Sequence, residues 1–144
     1  MRYKFRAWLK QEKKMVEVEE INFTYKEVRF KDYKTPFTKP IEVNVLFEDI
    51  ELIPYTGKSD VHDVDICVGD IVKVHYEYES YNGYVEGSTL CIVKYVDEWC
   101  RIIYQYLYDK DGNYYSVEDL DMNDVEIVGN IYENKELLEN ERNA

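Results

Sequence analysis

The 144-residue chain is poor in the residues from which most recognisable catalytic and metal motifs are built. It has 2 His, His62 and His75, and neither sits in a G-x-S-x-G or papain-type context, so a nucleophile and its base have little to be assembled from. The 3 Cys, Cys67, Cys91 and Cys100, are odd in number and lack C-x-x-C spacing. That argues against a disulfide framework or a zinc motif and fits small core residues in a reducing compartment. None of the 6 Gly belongs to a phosphate-cradling loop. No run approaches the roughly 18 apolar residues of a helical membrane span, and the opening "MRYKFRAWLKQEKKM" puts charges inside any apolar region a secretion signal would need. The expected product is a soluble, cytoplasmic protein with no cofactor, no membrane partner and no secretion signal.

What is present points to strands. With 45% hydrophobic residues, 33% charged residues and only 3 Pro, the chain can bury a core and is not composed like a disordered one. Residues 2–8, "RYKFRAW", alternate so that Tyr3, Phe5 and Ala7 share one face while Arg2, Lys4 and Arg6 share the other. "MVEVEEINF" reads as a second strand and 26–31 as a short third, with a Pro-punctuated connection over 34–41. Residues 41–53 are apolar enough for strand or helical turn, and "PYTGKSDVHDVD" reads as a loop. In "VGDIVKVHYEY", 68–78, a Gly-Asp turn launches a strand with Val72, Val74, Tyr76 and Tyr78 on one face and Lys73, His75, Glu77 and Glu79 on the other. An Asn-Gly pair at 82–83 and "DKDGNYY" at 109–115 are hairpin turns between further strands. "VEIVGNIY" is the last strand, and Asn134 is placed to cap a short C-terminal helix. The fold class expected is mainly β with minor α. An N-terminal β lobe over 1–53 precedes a small, antiparallel, barrel-like (SH3-like) body with its C-terminal helix over 54–144.

Charge is divided unevenly. Residues 1–40 carry 11 Lys/Arg against 6 Asp/Glu, a net of +5, and the remaining 104 carry 7 against 24, a net of −17. Arg2, Lys4, Arg6, Lys10, Lys13 and Lys14 are therefore the residues that would touch phosphates if the chain binds nucleic acid. The 15 Tyr include Tyr104, Tyr106 and Tyr108 at period two and could supply a stacking surface. The acidity of the region holding them argues against nucleic-acid binding by the barrel alone and favours a wet-edged core or a protein interface. Two acidic segments resemble ion sites. "DVHDVD" gathers Asp60, His62, Asp63 and Asp65, with no partner motif, and a solvated loop is the expected reading. "DKDGN" has calcium-loop spacing at Asp109, Asp111 and Asn113, but Tyr114 stands where Gly is required and Leu120 where Glu is, so a plain hairpin turn is expected.

Two segments go beyond pattern. "YTGKSDVHDVDICVGDIVKV" (55–74) and "VEIVGNIYENKELLE" (125–139), behind "KFRAW", resemble the YopX family of bacteriophage and prophage proteins over most of the chain. Tyr55, Thr56, Gly57, Asp60, Ile66, Gly69 and Asp70 fit the family's middle motif, and Gly129, Asn130, Ile131, Tyr132, Glu133 and Asn134 its terminal one. Lys58, Asp63, Cys67, Val68 and Lys135 depart from them. The resemblance implies a β-rich fold in a bacterial host cell and carries over no catalytic residue. Tyr55, Thr56, Gly57, Gly69, Asp70, Gly129, Asn130 and Tyr132 read as architecture, with Gly57 and Gly69 giving backbone freedom and Asp70 a turn. The function expected is a non-enzymatic accessory or assembly module that self-associates, its basic N-terminal segment meeting an acidic surface of a neighbouring copy, or that meets a host or phage protein. Nucleic-acid binding through the basic N-terminal segment is the alternative.

Overall fold

Apolar–polar alternation builds nearly every element in the computed structural model, which describes residues 4–34 and 36–142. The chain divides into two units, Met1–Tyr55 and Thr56–Ala144. The first holds β1 (Phe5–Leu9), β2 (Lys14–Glu17), β3 (Glu20–Asn22), β4 (Glu27–Asp32), β5 (Ile41–Leu46) and the start of β6 (Ile50–Ser59). The antiparallel set β2-β1-β6 and the antiparallel set β3-β4-β5 turn one face of each strand inward. Ala7, Leu9, Val16, Val28, Phe30 and Ile50 form the core between them. Burying each of the larger of these side chains contributes about 1.5–3 kcal/mol, as upper estimates. The β1–β2 hairpin closes at Lys13, whose backbone is left-handed (φ 54°) and whose N–H reaches the Leu9 carbonyl at 2.8 Å.

The second unit contains the end of β6, then β7 (Asp65–Cys67), β8 (Asp70–Ser80), β9 (Gly83–Val96), β10 (Arg101–Tyr106), β11 (Tyr114–Ser116), β12 (Val125–Asn130) and α1 (Lys135–Arg142). Five strands form an antiparallel sheet in the order β11-β10-β9-β8-β12, curled into a half-barrel. Ile66, Val72, Val74, Cys91, Val93, Tyr104 and Val125 fill its core. The protein is thus mainly β with one short C-terminal helix. Among the described residues no helix is long and apolar enough to cross a membrane.

Three local expectations change. "MVEVEEINF", read as one strand, divides into β2, which pairs β1, and β3, which pairs β4. The segment from Pro54 to Ser59, read as loop, is strand: β6 pairs β1 up to Pro54 opposite Phe5 and then β7. Pro54 falls where the β1 ladder ends, so its missing N–H costs little there. The Asn-Gly hairpin closes on Tyr81 and Asn82, with Gly83 already in β9, opposite Ser80, at φ +118°.

Candidate functional site

The two motif segments that stood out in the sequence meet at one end of the half-barrel. β12 runs antiparallel to β8, placing Asn130 opposite Asp70 and Gly129 opposite Ile71. Gly69 adopts φ +92°, a conformation L side chains resist, and a Cβ there would lie 3.1 Å from Tyr132 Cε2. Its N–H donates to the Val93 carbonyl (2.8 Å) and its carbonyl accepts from Ile131 N–H (2.9 Å), so both backbone groups are used. Asp70, 2% exposed, accepts the Cys67 N–H at 2.8 Å and closes the β7–β8 turn. Asn130 Oδ1 accepts from Tyr132 N–H (3.0 Å) and Glu133 N–H (2.8 Å), fixing the exit from β12. Asn134 stands immediately before α1, and its carbonyl accepts from Leu137 N–H, but its Oδ1 turns back to the Asn130 N–H at 3.0 Å. At the other end of the motif, Thr56 Oγ1 donates to the Ile66 carbonyl and accepts from Lys58 N–H, with Gly57 between them at φ +85°.

Asp60 ties the 60–64 loop to the same strand. The register of β12 slips between Ile127 and Gly129, and the Ile127 N–H at that slip donates to Asp60 Oδ2 at 3.0 Å. His62 N–H (2.9 Å) and Val64 N–H (3.0 Å) donate to Asp60 Oδ1. Burial pushes the Asp60 pKa up, yet the N–H donors of Ile127, Val64 and His62 outweigh it and hold the carboxyl below its ordinary value. Both oxygens of Asp60 are thus engaged by backbone. Asp63 occupies the loop's left-handed position (φ 62°), and His62 Nε2 lies 4.0 Å from Glu126 Oε2.

A different feature presents free chemistry. β12 pairs β8 only as far as Val74, and β10 pairs β9 only between Cys91 and Val96. Beyond those points β8 and β9 continue as a two-stranded ribbon, residues 75–80 and 83–89, with no other strand alongside either edge among the described residues. On the face that continues Val72 and Val74, the rings of Tyr76 and Tyr78 stack with centroids 6.3 Å apart. Gly87 lies opposite Tyr76, and a Cβ there would be 2.5 Å from the Tyr76 hydroxyl, so the missing side chain makes room for the ring. Tyr78 is 55% exposed, Tyr84 60%, and Tyr81 at the turn fully. The opposite face carries His75, Glu77, Glu79, Tyr84, Glu86 and Ser88. The Tyr84 hydroxyl donates to Glu77 Oε2, and that bond, with burial and the charges of Glu77 and Glu86 adding to it, pushes the phenol up to about 12.

A family model described as YopX protein matches residues 4–139. The chain belongs to the YopX family. Among solved structures it is similar to protein EF1440 from Enterococcus faecalis, with 22% identity and a TM-score of 0.59 over 96% of this chain and 99% of that one. At that identity the likeness is one of fold. No curated protein matches it.

In this YopX chain four of the basic residues singled out in the sequence lie against aromatic or acidic partners. Arg2 lies outside the described residues. Lys4 Nζ and the Arg6 guanidinium lie 5.6 and 5.9 Å from the Tyr55 ring centroid. Lys10 reaches the Glu48 carbonyl (3.2 Å) and Glu51 (3.9 Å), Lys14 reaches Asp32 (3.7 Å), and Lys13 makes the β1–β2 turn. Charge counted by unit is also less divided than by position. Met1–Tyr55 holds 11 Lys/Arg against 10 Asp/Glu, a net of +1, while Thr56–Ala144 holds 7 against 20, a net of −13. In the calcium-like segment, Asp109 accepts from the backbone N–H groups of Asp111 (2.9 Å) and Asn113 (3.2 Å), as a turn residue does. The ribbon's clustering of His75 with Glu77 and Glu86 was missed in the sequence, because it depends on the cross-strand register set at Tyr81 and Asn82.

Proposed function

We propose that this YopX protein is a non-enzymatic phage or prophage accessory module that self-associates, and that the outer β8–β9 ribbon is its contact surface. The observation that carries the reading is the ribbon itself, a hairpin end whose two edges pair with no other strand among the described residues and which holds four solvent-exposed tyrosines, Tyr76, Tyr78, Tyr81 and Tyr84. A two-stranded ribbon is marginal in water unless something covers it. Its free N–H and C=O groups are a template for strand addition, and tyrosine gives contact area at small entropic cost. A second copy offers the same edge, and a two-fold contact would close on itself without forming an open fibre. Two of the three thiols are poor nucleophiles, which fits the non-enzymatic part: Cys67 and Cys91 are fully buried, and burial pushes the Cys91 thiol up to about 12, while Cys100 is exposed.

The charge of −13 on the second unit makes an opposing force, so association through the ribbon should tighten as salt is added. Contact between a basic segment and an acidic surface would weaken instead. Nucleic-acid binding gains no support from the carboxylate and aromatic partners of Lys10, Lys14, Lys4 and Arg6. Sedimentation velocity at tens of micromolar protein tests the reading. Self-association is expected for the wild type, stronger at high salt, and lost in Tyr78→Ser/Tyr81→Ser. A monomer at every salt concentration would refute it.

A further inference from the structure

We infer that the polar face of the ribbon holds a divalent transition-metal site made by His75, Glu77 and Glu86. The register places Glu77 of β8 directly opposite Glu86 of β9. Two like charges in that position destabilise a strand pair, and this pair belongs to a ribbon without flanking strands. The neighbouring nitrogen is that of one imidazole: His75 Nε2 lies 3.5 Å from Glu86 Oε1 and 3.8 Å from Glu77 Oε2. An imidazole carries at most one positive charge against two negative ones. A divalent ion among the three would cancel both carboxylates and cross-link the strands.

The donor set is already gathered. One ligand atom from each residue lies within 4.8 Å of the others. Bonds of about 2.0–2.2 Å in a four-coordinate site bring ligand atoms about 3.3–3.6 Å apart, so closure asks only for small rotations of exposed side chains. The Tyr84 hydroxyl bonded to Glu77 is in the place of an outer partner that orients a ligating carboxylate. His75 and Glu86 also line a cleft of about 420 Å³ with Lys73, Ser88, Asp124 and Glu126, which leaves room for water to complete the coordination, and its carboxylates outnumber its one lysine. One imidazole with two carboxylates suits zinc or manganese, whereas calcium and magnesium favour all-oxygen sets. This site is distinct from the 60–65 loop, where the Asp60 carboxylate is engaged by backbone N–H groups.

The chain has only two histidines, which makes the test selective. Calorimetric titration of the chelator-treated full chain with Zn²⁺ should show one equivalent bound. His75→Asn and Glu86→Gln should each weaken it by about tenfold or more, a loss at least as large as that from disturbing an outer partner. His62→Asn should leave it unchanged, and NMR should show the His75 imidazole signals moving while those of His62 stay. Glu86 is exposed and His75 half-buried, and a far-UV spectrum equal to that of the wild type shows that both variants fold. Absence of saturable binding, binding that survives His75→Asn, loss in His62→Asn, or equal affinity for Ca²⁺ would each overturn the assignment. The oligomer test does not depend on this site, so the two proposals can fail separately.

Discussion

Replacing Asp60 by Ala should be among the more damaging single changes in the second unit, although the sequence offers Asp60 as a loop carboxylate among other acids. The side chain is 6% exposed and accepts three backbone N–H groups, from His62, Val64 and Ile127. A donor left without a partner costs about 1–3 kcal/mol when it is shielded from water. The Ile127 amide lies at the register slip of β12, and the two loop amides can regain water as the loop opens. The expected loss is therefore about 2–4 kcal/mol, a large share of a typical stability of about 5–15 kcal/mol. Asp60→Asn keeps one acceptor oxygen and sets an NH₂ group against the remaining donors, so it should lose about 1–3 kcal/mol. Asp63→Asn, at a left-handed position that Asn tolerates, should stay within about 0.5 kcal/mol. Acid adds a second signature. A carboxyl held below its ordinary value stabilises the fold at every pH above that value and gives the contribution up as pH falls through its folded-state pKa. The wild type and Asp60→Asn should therefore differ fully at neutral pH and converge below about pH 4. Urea melts across that range measure both effects. An Asp60→Ala midpoint equal to the wild type's, or higher through relief of repulsion among the loop acids, would refute the reasoning.

Gly69→Val should cost about 1–3 kcal/mol, since φ +92° is unfavourable for any side chain and its Cβ would press on Tyr132; a urea melt with an unchanged midpoint would contradict this. Asn130→Ala removes the acceptor for Tyr132 and Glu133 N–H and should cost about 1–2 kcal/mol in the same assay. A thiol reagent at pH 8 should modify Cys100 quickly in the native protein and reach Cys67 and Cys91 only on unfolding, because both are buried and burial pushes the Cys91 thiol up to about 12.

The strand at 70–80 was legible because Val72 and Val74 alternate with Lys73 and His75 and one face is buried. The Gly-Asp turn before it was legible too, since Gly69 and Asp70 each have one conformational use there. The end of β6 was hidden by Pro54 and Gly57, which read as loop formers until pairing with β1 and β7 shows where a missing N–H and a positive φ are tolerated. The bond from Asp60 to Ile127 spans 67 positions and follows from how β12 returns beside β8, which no local pattern encodes. The charge division misled at the position chosen for it: Glu42, Glu48, Asp49 and Glu51 follow residue 40 but belong to the first unit and nearly cancel its basic excess. Likewise, the sequence set His75, Glu77 and Glu79 on one face, but Glu86 joined them only through register.

Amide hydrogen exchange of the ribbon, followed by NMR or mass spectrometry as protein concentration is raised, tests the contact-surface claim most directly. Free ribbon edges exchange quickly, and pairing with a second copy protects them. The amides of residues 75–80 and 83–89 that point away from the β8–β9 ladder should exchange rapidly in dilute solution and slow as concentration and salt rise, while the amides of Val72, Val74 and Cys91 stay protected throughout. Ribbon amides exchanging at the same rate from dilute solution to hundreds of micromolar would contradict the claim.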